Sequence, residues 1–257
     1  MNDNLGYLKN AAKDKIENSK RDKVLPAYVA RVVDETGIDV RIMSYHDPKS
    51  SVCENYRAIF AHLKNSLTKD NSNLIAIMSS QRHEGNTITL LNLAVVMARD
   101  FNKKILIIDA NMRNSAVDEL MNLKSNGGLS DILVSDLDYR GVTHQTPISN
   151  LSIITGGKET HNSMELLHSP RLKALLVKAK AEFDYVLCDT AAFIPYADTK
   201  ILSPLVDGII LTIKARKTRK EVVDRTEEIL KELRCRIFGF ILTDIEYHIP
   251  EFIYRHL

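Results

Sequence analysis

From residue 74 to residue 242 the chain alternates short, continuous apolar runs with longer segments whose apolar residues recur at helical spacing. The apolar runs are 74–78, 104–108, 151–154, 185–188, 209–213 and 236–242. The helical segments are 51–67, 87–99, 129–133, 170–181 and 219–233. A strand that is apolar on both faces must be covered on both faces. Such strands alternating with helices predict an α/β fold: a doubly wound, mostly parallel sheet with helices on both faces.

The ends of the chain read differently. Residues 1–23 are rich in Lys, Asp and Asn, with Leu5, Leu8, Ala12 and Ile16 as a narrow helical stripe, which predicts a solvated arm. Pro26 breaks that arm, and an extended region with turn residues Asp47 and Pro48 leads to residue 51. The expected division is an arm over 1–50 and one α/β domain over 51–257. A hydrophobic content of 44% in 257 residues suffices for one large core. A net charge of +2 argues against nucleic acid as a partner. Cys53, Cys188 and Cys235 are scattered, form no metal-ligand pair, and fit a reducing compartment. The opening residues are too polar for a signal peptide, and no apolar run reaches the roughly 18 residues of a membrane span.

The strongest local feature is LIAIMSSQRHEGNTITLLNLAVVMA, residues 74–98, which reads as strand, turn and helix. At such a turn, loop N–H groups and the helix N-terminus can surround an anion. A phosphate-binding loop of this kind normally reads GxxxxGK[ST]: the Gly admits the phosphates, the Lys neutralises them, and the hydroxyl binds Mg²⁺. Gly85 and Thr87 stand in the matching places, but the lysine position is Asn86. An amide can donate a hydrogen bond and cannot neutralise charge. Taken alone, the loop reads as an ordinary β-turn-α corner.

Two further strands each end in an acid, in KKILIIDANMR (103–113) and FDYVLCDTAAF (183–193). In a doubly wound sheet the carboxyl ends of neighbouring strands converge on the ligand crevice. Asp109 and Asp189 beside the Thr87 hydroxyl form an expected Mg²⁺ site of hard oxygens. Either acid alone reads equally as a helix cap.

These three motifs, in this order, resemble the bacterial tyrosine autokinases of capsule and exopolysaccharide biosynthesis, over roughly residues 51–244. The family's first motif is SSxxGEGKST; here SSQRHEGNTI keeps Ser79, Ser80, Glu84, Gly85 and Thr87 and replaces Gly, Lys and Thr by His83, Asn86 and Ile88. The second, DxDxR, stands as DANMR with Asn111 for the second acid. The third, DTPP, stands as DTAA. GGLSDIL, ELLHSPRLKALL and VDGIILTIKARKT are also family-like. The family's ExxRxxR helix makes subunit contacts; here it carries Glu54, Arg57 and Phe60. The Asn that holds the base in the family's GVVLN is Thr243 here. In place of a terminal tyrosine cluster the chain has Tyr247 and Tyr254.

The resemblance implies a deviant P-loop NTPase fold. It implies nucleotide contacts from Gly85, Asn86, Thr87, Ile88 and Thr243, and vestigial catalytic and metal roles for Asp109 and Asp189 with Thr87. Glu54, Arg57 and Phe60 take the partner contact, with helix core as the other reading of Phe60. The departures fall on phosphate charge, metal acid, base contact, subunit contact and acceptor tail. They imply a non-catalytic, kinase-like regulator with weak or absent Mg-ATP or ADP binding. It would act in the cytoplasm, at the inner face of the membrane, through a membrane-embedded polysaccharide chain-length or polymerase component or a homologous kinase, as a homo- or hetero-oligomer. Two alternatives stay open: an active autokinase in which Arg82, His83 or Arg113 replaces the lysine, and a ParA- or MinD-like ATPase.

Overall fold

The computed structural model describes residues 35–68, 72–124, 127–135, 137–160 and 162–245. The arm over 1–23 and the tyrosines Tyr247 and Tyr254 lie outside them. In chain order the helices are α1 (Met43–His46), α2 (Ser51–Thr68), α3 (Asn86–Arg99), α4 (Val117–Leu120), α5 (Leu129–Ser135), α6 (Ser163–Leu167), α7 (Pro170–Glu182), α8 (Ala197–Leu202) and α9 (Lys220–Glu232). The strands are β1 (Leu74–Ser79), β2 (Ile105–Asp109), β3 (His144–Gln145), β4 (Leu151–Ile154), β5 (Tyr185–Asp189), β6 (Gly208–Lys214) and β7 (Ile237–Thr243).

The strands form one seven-stranded sheet in the order β3-β4-β2-β5-β1-β6-β7. Every pairing is parallel except that of β3 with β4. Side chains alternate across a strand, so each central strand feeds two cores. Ile75 and Ile77 of β1 join Ile105, Ile107, Leu187 and Ile210 beneath α2 and α3. Leu74, Ala76 and Met78 join Leu106, Ile108, Val186 and Leu211 beneath α5, α7 and α9. The doubly wound architecture expected from the apolar runs is therefore present, with helices on both faces.

Local chemistry sets the helix starts. Ser50 caps α2 by accepting from the Cys53 N–H at 3.2 Å. Ser169 caps α7 by accepting from Leu172, and Pro170 follows at the first helical position, where no N–H is needed. α3 is apolar nearly all round and is buried from Thr89 to Ala98, between the sheet and α2.

Four short elements have no strong periodicity: α1, α4, α6 and α8. β3 is a two-residue antiparallel edge. The region expected to be extended up to residue 51 contains the helical turn α1 instead. Ile38 and Ile42 beside it are almost fully buried. Asn92 of α3 fixes this segment, accepting from Ser44 N–H at 2.8 Å and donating to the Arg41 carbonyl at 3.0 Å. A buried amide without those partners would cost about 1–3 kcal/mol, which explains why the segment docks there.

Phe60 corrects one reading of the sequence. It is fully buried, with its ring 4.7 Å from Phe101 and 5.7 Å from Tyr185, both edge-to-face. It therefore offers no apolar surface to a partner and belongs to the core, because the helix period turns position 60 toward the sheet.

Candidate functional site

The site lies at the carboxyl ends of β1, β2 and β5. Asp109 and Asp189 stand directly opposite each other on neighbouring strands, and both are fully buried. Asp109 accepts from the Asn111 N–H at 2.9 Å and the Ser115 hydroxyl at 2.7 Å. Asp189 accepts from the Thr87 hydroxyl at 2.7 Å and the Asn86 amide at 3.2 Å. Among the described residues neither carboxylate hydrogen-bonds to a Lys or Arg side chain.

Burial pushes both acids above the ordinary carboxylate range. For Asp189 the neighbouring Asp109 charge adds to the burial, and the bonds from Thr87, Thr190 and Asn86 only partly offset it. Two buried acids facing each other favour either a shared proton or a cation between them. Carboxylate and hydroxyl oxygens are the donors that Mg²⁺ takes, with phosphate oxygens and water completing its shell. Asp109, Asp189 and Thr87 therefore fit the metal.

The phosphate side is different. The loop from β1 folds back through left-handed residues, with φ of 63° at His83 and 87° at Gly85. Gly85 precedes α3, whose N-terminal amides open toward the crevice. His83 holds a conformation that costs a residue with a Cβ about 1–2 kcal/mol, where the family motif has glycine. The residue is exposed.

Asn86 turns inward. Its amide nitrogen donates to the Thr190 carbonyl at 2.7 Å as well as to Asp189. The group in the lysine position is thus used to tie α3 to the end of β5. Ile88 is partly buried and packs against the apolar cluster beneath α3. Thr243 at the end of β7 donates to the Glu84 carbonyl at 2.8 Å. It braces the loop, and a Cβ at Gly85 would approach its methyl to 3.4 Å.

Asp198 and Tyr196 carried no sequence signal, and Glu84, though kept in the family motif, had no role assigned to it from sequence. Glu84 is buried, and its carboxylate accepts from the Gln81 N–H and from the Thr218 hydroxyl, joining the loop to the segment after β6. Asp198, at the start of α8, pairs with Arg113 at 2.6 Å and accepts from Ser163 at 2.6 Å. Tyr196 lies between two guanidiniums, with Arg82 at 4.9 Å and Arg113 at 5.8 Å from its ring. Arg113 is therefore committed to Asp198, while Arg82 stands exposed at the loop tip. On α2, Arg57 bonds Glu54, Asp100 and the Pro48 carbonyl of its own chain.

The comparisons with known proteins agree with this geometry. A family model described as an AAA domain matches residues 72–236. The tyrosine-protein kinase YwqD of Bacillus subtilis is 31% identical over 201 residues, covering 78% of this chain and 84% of that protein. The putative tyrosine-protein kinase CapB of Staphylococcus aureus is 27% identical, covering 77% of this chain and 86% of the relative. The succinoglycan biosynthesis transport protein ExoP of Rhizobium meliloti is 29% identical over 198 residues, but only 25% of its length is covered. Among solved structures, the chimerical protein CapA2B2 superposes with a TM-score of 0.77 at 23% identity, over 85% of this chain and 99% of that one. Motif order, sheet topology and these relatives together place the chain in the family of bacterial tyrosine-protein kinases of capsule and exopolysaccharide biosynthesis, with a P-loop NTPase-like α/β fold.

Proposed function

We propose that this chain is a non-catalytic, kinase-like regulator of exopolysaccharide or capsule biosynthesis that works through protein partners at the cytoplasmic face of the membrane. One observation carries the reading: a neutral Asn86 occupies the place of the phosphate-binding lysine, and its amide is engaged by Asp189 and the Thr190 carbonyl. Phosphoryl transfer relies on charge stabilisation more than on covalent chemistry. The second acid of the metal motif is also replaced, and Asn111 donates to the Asn114 carbonyl. Asp109, Asp189 and Thr87 would still hold Mg²⁺, which supplies charge neutralisation to a bound polyphosphate. The loop amides and the N-terminus of α3 would hold the phosphates themselves.

The balance favours weak nucleotide binding without phosphotransfer. In the membrane complex the partner would be a polysaccharide chain-length or polymerase component, or an active homologue. The Glu54–Arg57 pair lies within a network of its own chain, so such a partner would meet other elements as well.

The test is calorimetric titration of Mg-ATP into the natural protein and into Asn86→Lys, with tyrosine phosphorylation followed in parallel. The expected result is millimolar or no affinity and no phosphotransfer for the natural protein, with binding gained by the lysine variant. Micromolar binding together with tyrosine phosphorylation by the natural protein would establish the active-autokinase reading instead, with Arg82 as the exposed cation beside the loop.

A further inference from the structure

Net charge is nearly balanced over the chain, yet the segment KARKTRK (214–220) holds five cations in seven residues. It follows β6, so it emerges at the same pole of the sheet as the phosphate loop. Arg216, Lys217, Arg219 and Lys220 are exposed there. Lys214 pairs with Asp244, and Lys220 pairs with Asp224. The Thr218 hydroxyl bonds Glu84, which fixes this segment against the loop that carries Arg82.

Apolar residues are also exposed at the carboxyl ends of these strands. Ile194 follows β5, and its N–H bonds the Ser80 carbonyl. Leu242 is the penultimate residue of β7 and Ile245 lies two residues beyond the end of that strand, which runs beside β6: Thr243 stands opposite Lys214. Relative exposures are 38% for Ile194, 56% for Leu242 and 47% for Ile245. β5, β1, β6 and β7 are consecutive in the sheet and parallel, so their carboxyl ends form one row. Three strand spacings make that row about 14 Å wide.

We propose that this pole is a peripheral membrane-binding surface for anionic lipid. Cations that meet lipid phosphates, interleaved with apolar side chains that reach the acyl boundary, are the chemistry of an interfacial contact. A rim built from three loop tips and a strand end suits a flat bilayer better than the narrow track of one peptide. The contact would give the chain a direct hold on the membrane in addition to any protein partner. It would also set the mouth of the phosphate loop against the bilayer. The proposal does not rest on the site being inactive.

The test is co-sedimentation of the full chain with vesicles of phosphatidylcholine alone and of phosphatidylcholine with phosphatidylglycerol, at low and high salt. Binding is expected only to the phosphatidylglycerol vesicles and is expected to weaken with salt. At about 1 kcal/mol per basic residue near the surface, the triple variant Arg216→Glu, Lys217→Glu and Arg219→Glu should bind at least roughly 100-fold more weakly. Its thermal midpoint should stay near that of the natural protein. Leu242→Ser should weaken binding while keeping its salt dependence. Failure to sediment with phosphatidylglycerol vesicles, or equal sedimentation of the triple variant, would overturn the proposal. So would capture by immobilised polyglutamate without vesicle binding, which would assign the surface to an acidic polypeptide.

Discussion

Replacing Phe60 by alanine separates a core position from an interface position. The ring is fully buried between the sheet and α2 and meets two aromatic neighbours edge-to-face. Truncating a buried Phe costs about 3–5 kcal/mol through lost transfer energy and the cavity left behind. Each aromatic pair adds about 0.5–1.5 kcal/mol beyond buried area, which places this site toward the upper end. For a domain of about 150–250 residues each kcal/mol moves the midpoint by roughly 2–4 °C, so the expected fall is about 6–20 °C. Urea unfolding followed by circular dichroism measures the loss, and light scattering follows the mass of the natural protein and the variant. Phe60→Arg, which restores the residue of the family motif, should be worse still, because it puts a charged guanidinium in the place of a fully buried apolar ring. A loss below about 1 kcal/mol accompanied by a change in oligomeric mass would refute the core assignment.

Two further predictions concern titrating groups. Asp189 is held above the ordinary carboxylate range by burial and by Asp109, so it favours the folded state when protonated. Its contribution is complete below the unfolded carboxylate value near about 3.9 and is lost as pH rises through the higher folded value. Without Mg²⁺ the Asp189 contribution should therefore decline as pH rises from the unfolded carboxylate value through the higher folded one, and Asp189→Asn should flatten that slope; an unchanged slope in thermal denaturation would count against the buried acid pair. Asp198 behaves oppositely: burial alone would raise it, but Arg113 and Ser163 overcome that effect and hold it below its usual value. Its stabilisation is present above the unfolded value and disappears as pH falls through the folded one. Arg113→Ala should cost about 2 kcal/mol near neutrality, with the difference shrinking in acid, because it leaves a buried carboxylate without its cation; equal losses at both pH values would refute the pairing.

Much of the fold could be read along the chain. The apolar runs ending in Asp109 and Asp189 predicted central strands because only strands covered on both faces tolerate continuous Ile, Leu and Val. The structure puts those two acids side by side at adjacent strand ends. Short elements escaped this reading: α1, α4, α6 and α8 are too brief for periodicity, and a two-residue β3 has no pattern at all. Ile38 and Ile42 looked like part of an extended lead-in because nothing local shows that Asn92, some 50 residues away, receives them.

Periodicity and spacing by themselves determined the parallel sheet and the place of both acids at strand ends, while the phosphate-type loop and the loss of its lysine charge were legible through the match to known phosphate-loop and family motifs. These follow from periodicity and residue chemistry, which act over a few residues. Only the tertiary structure decided where the replacement residues point. It turned Phe60 inward, set the Asn86 amide on Asp189 and Thr190, made Thr243 a brace for the loop, and paired Arg113 with Asp198. It also gathered KARKTRK, Arg82 and the end of β7 at one pole. Those outcomes depend on contacts between residues far apart in sequence, and it is the order of the strands in the sheet that brings them together.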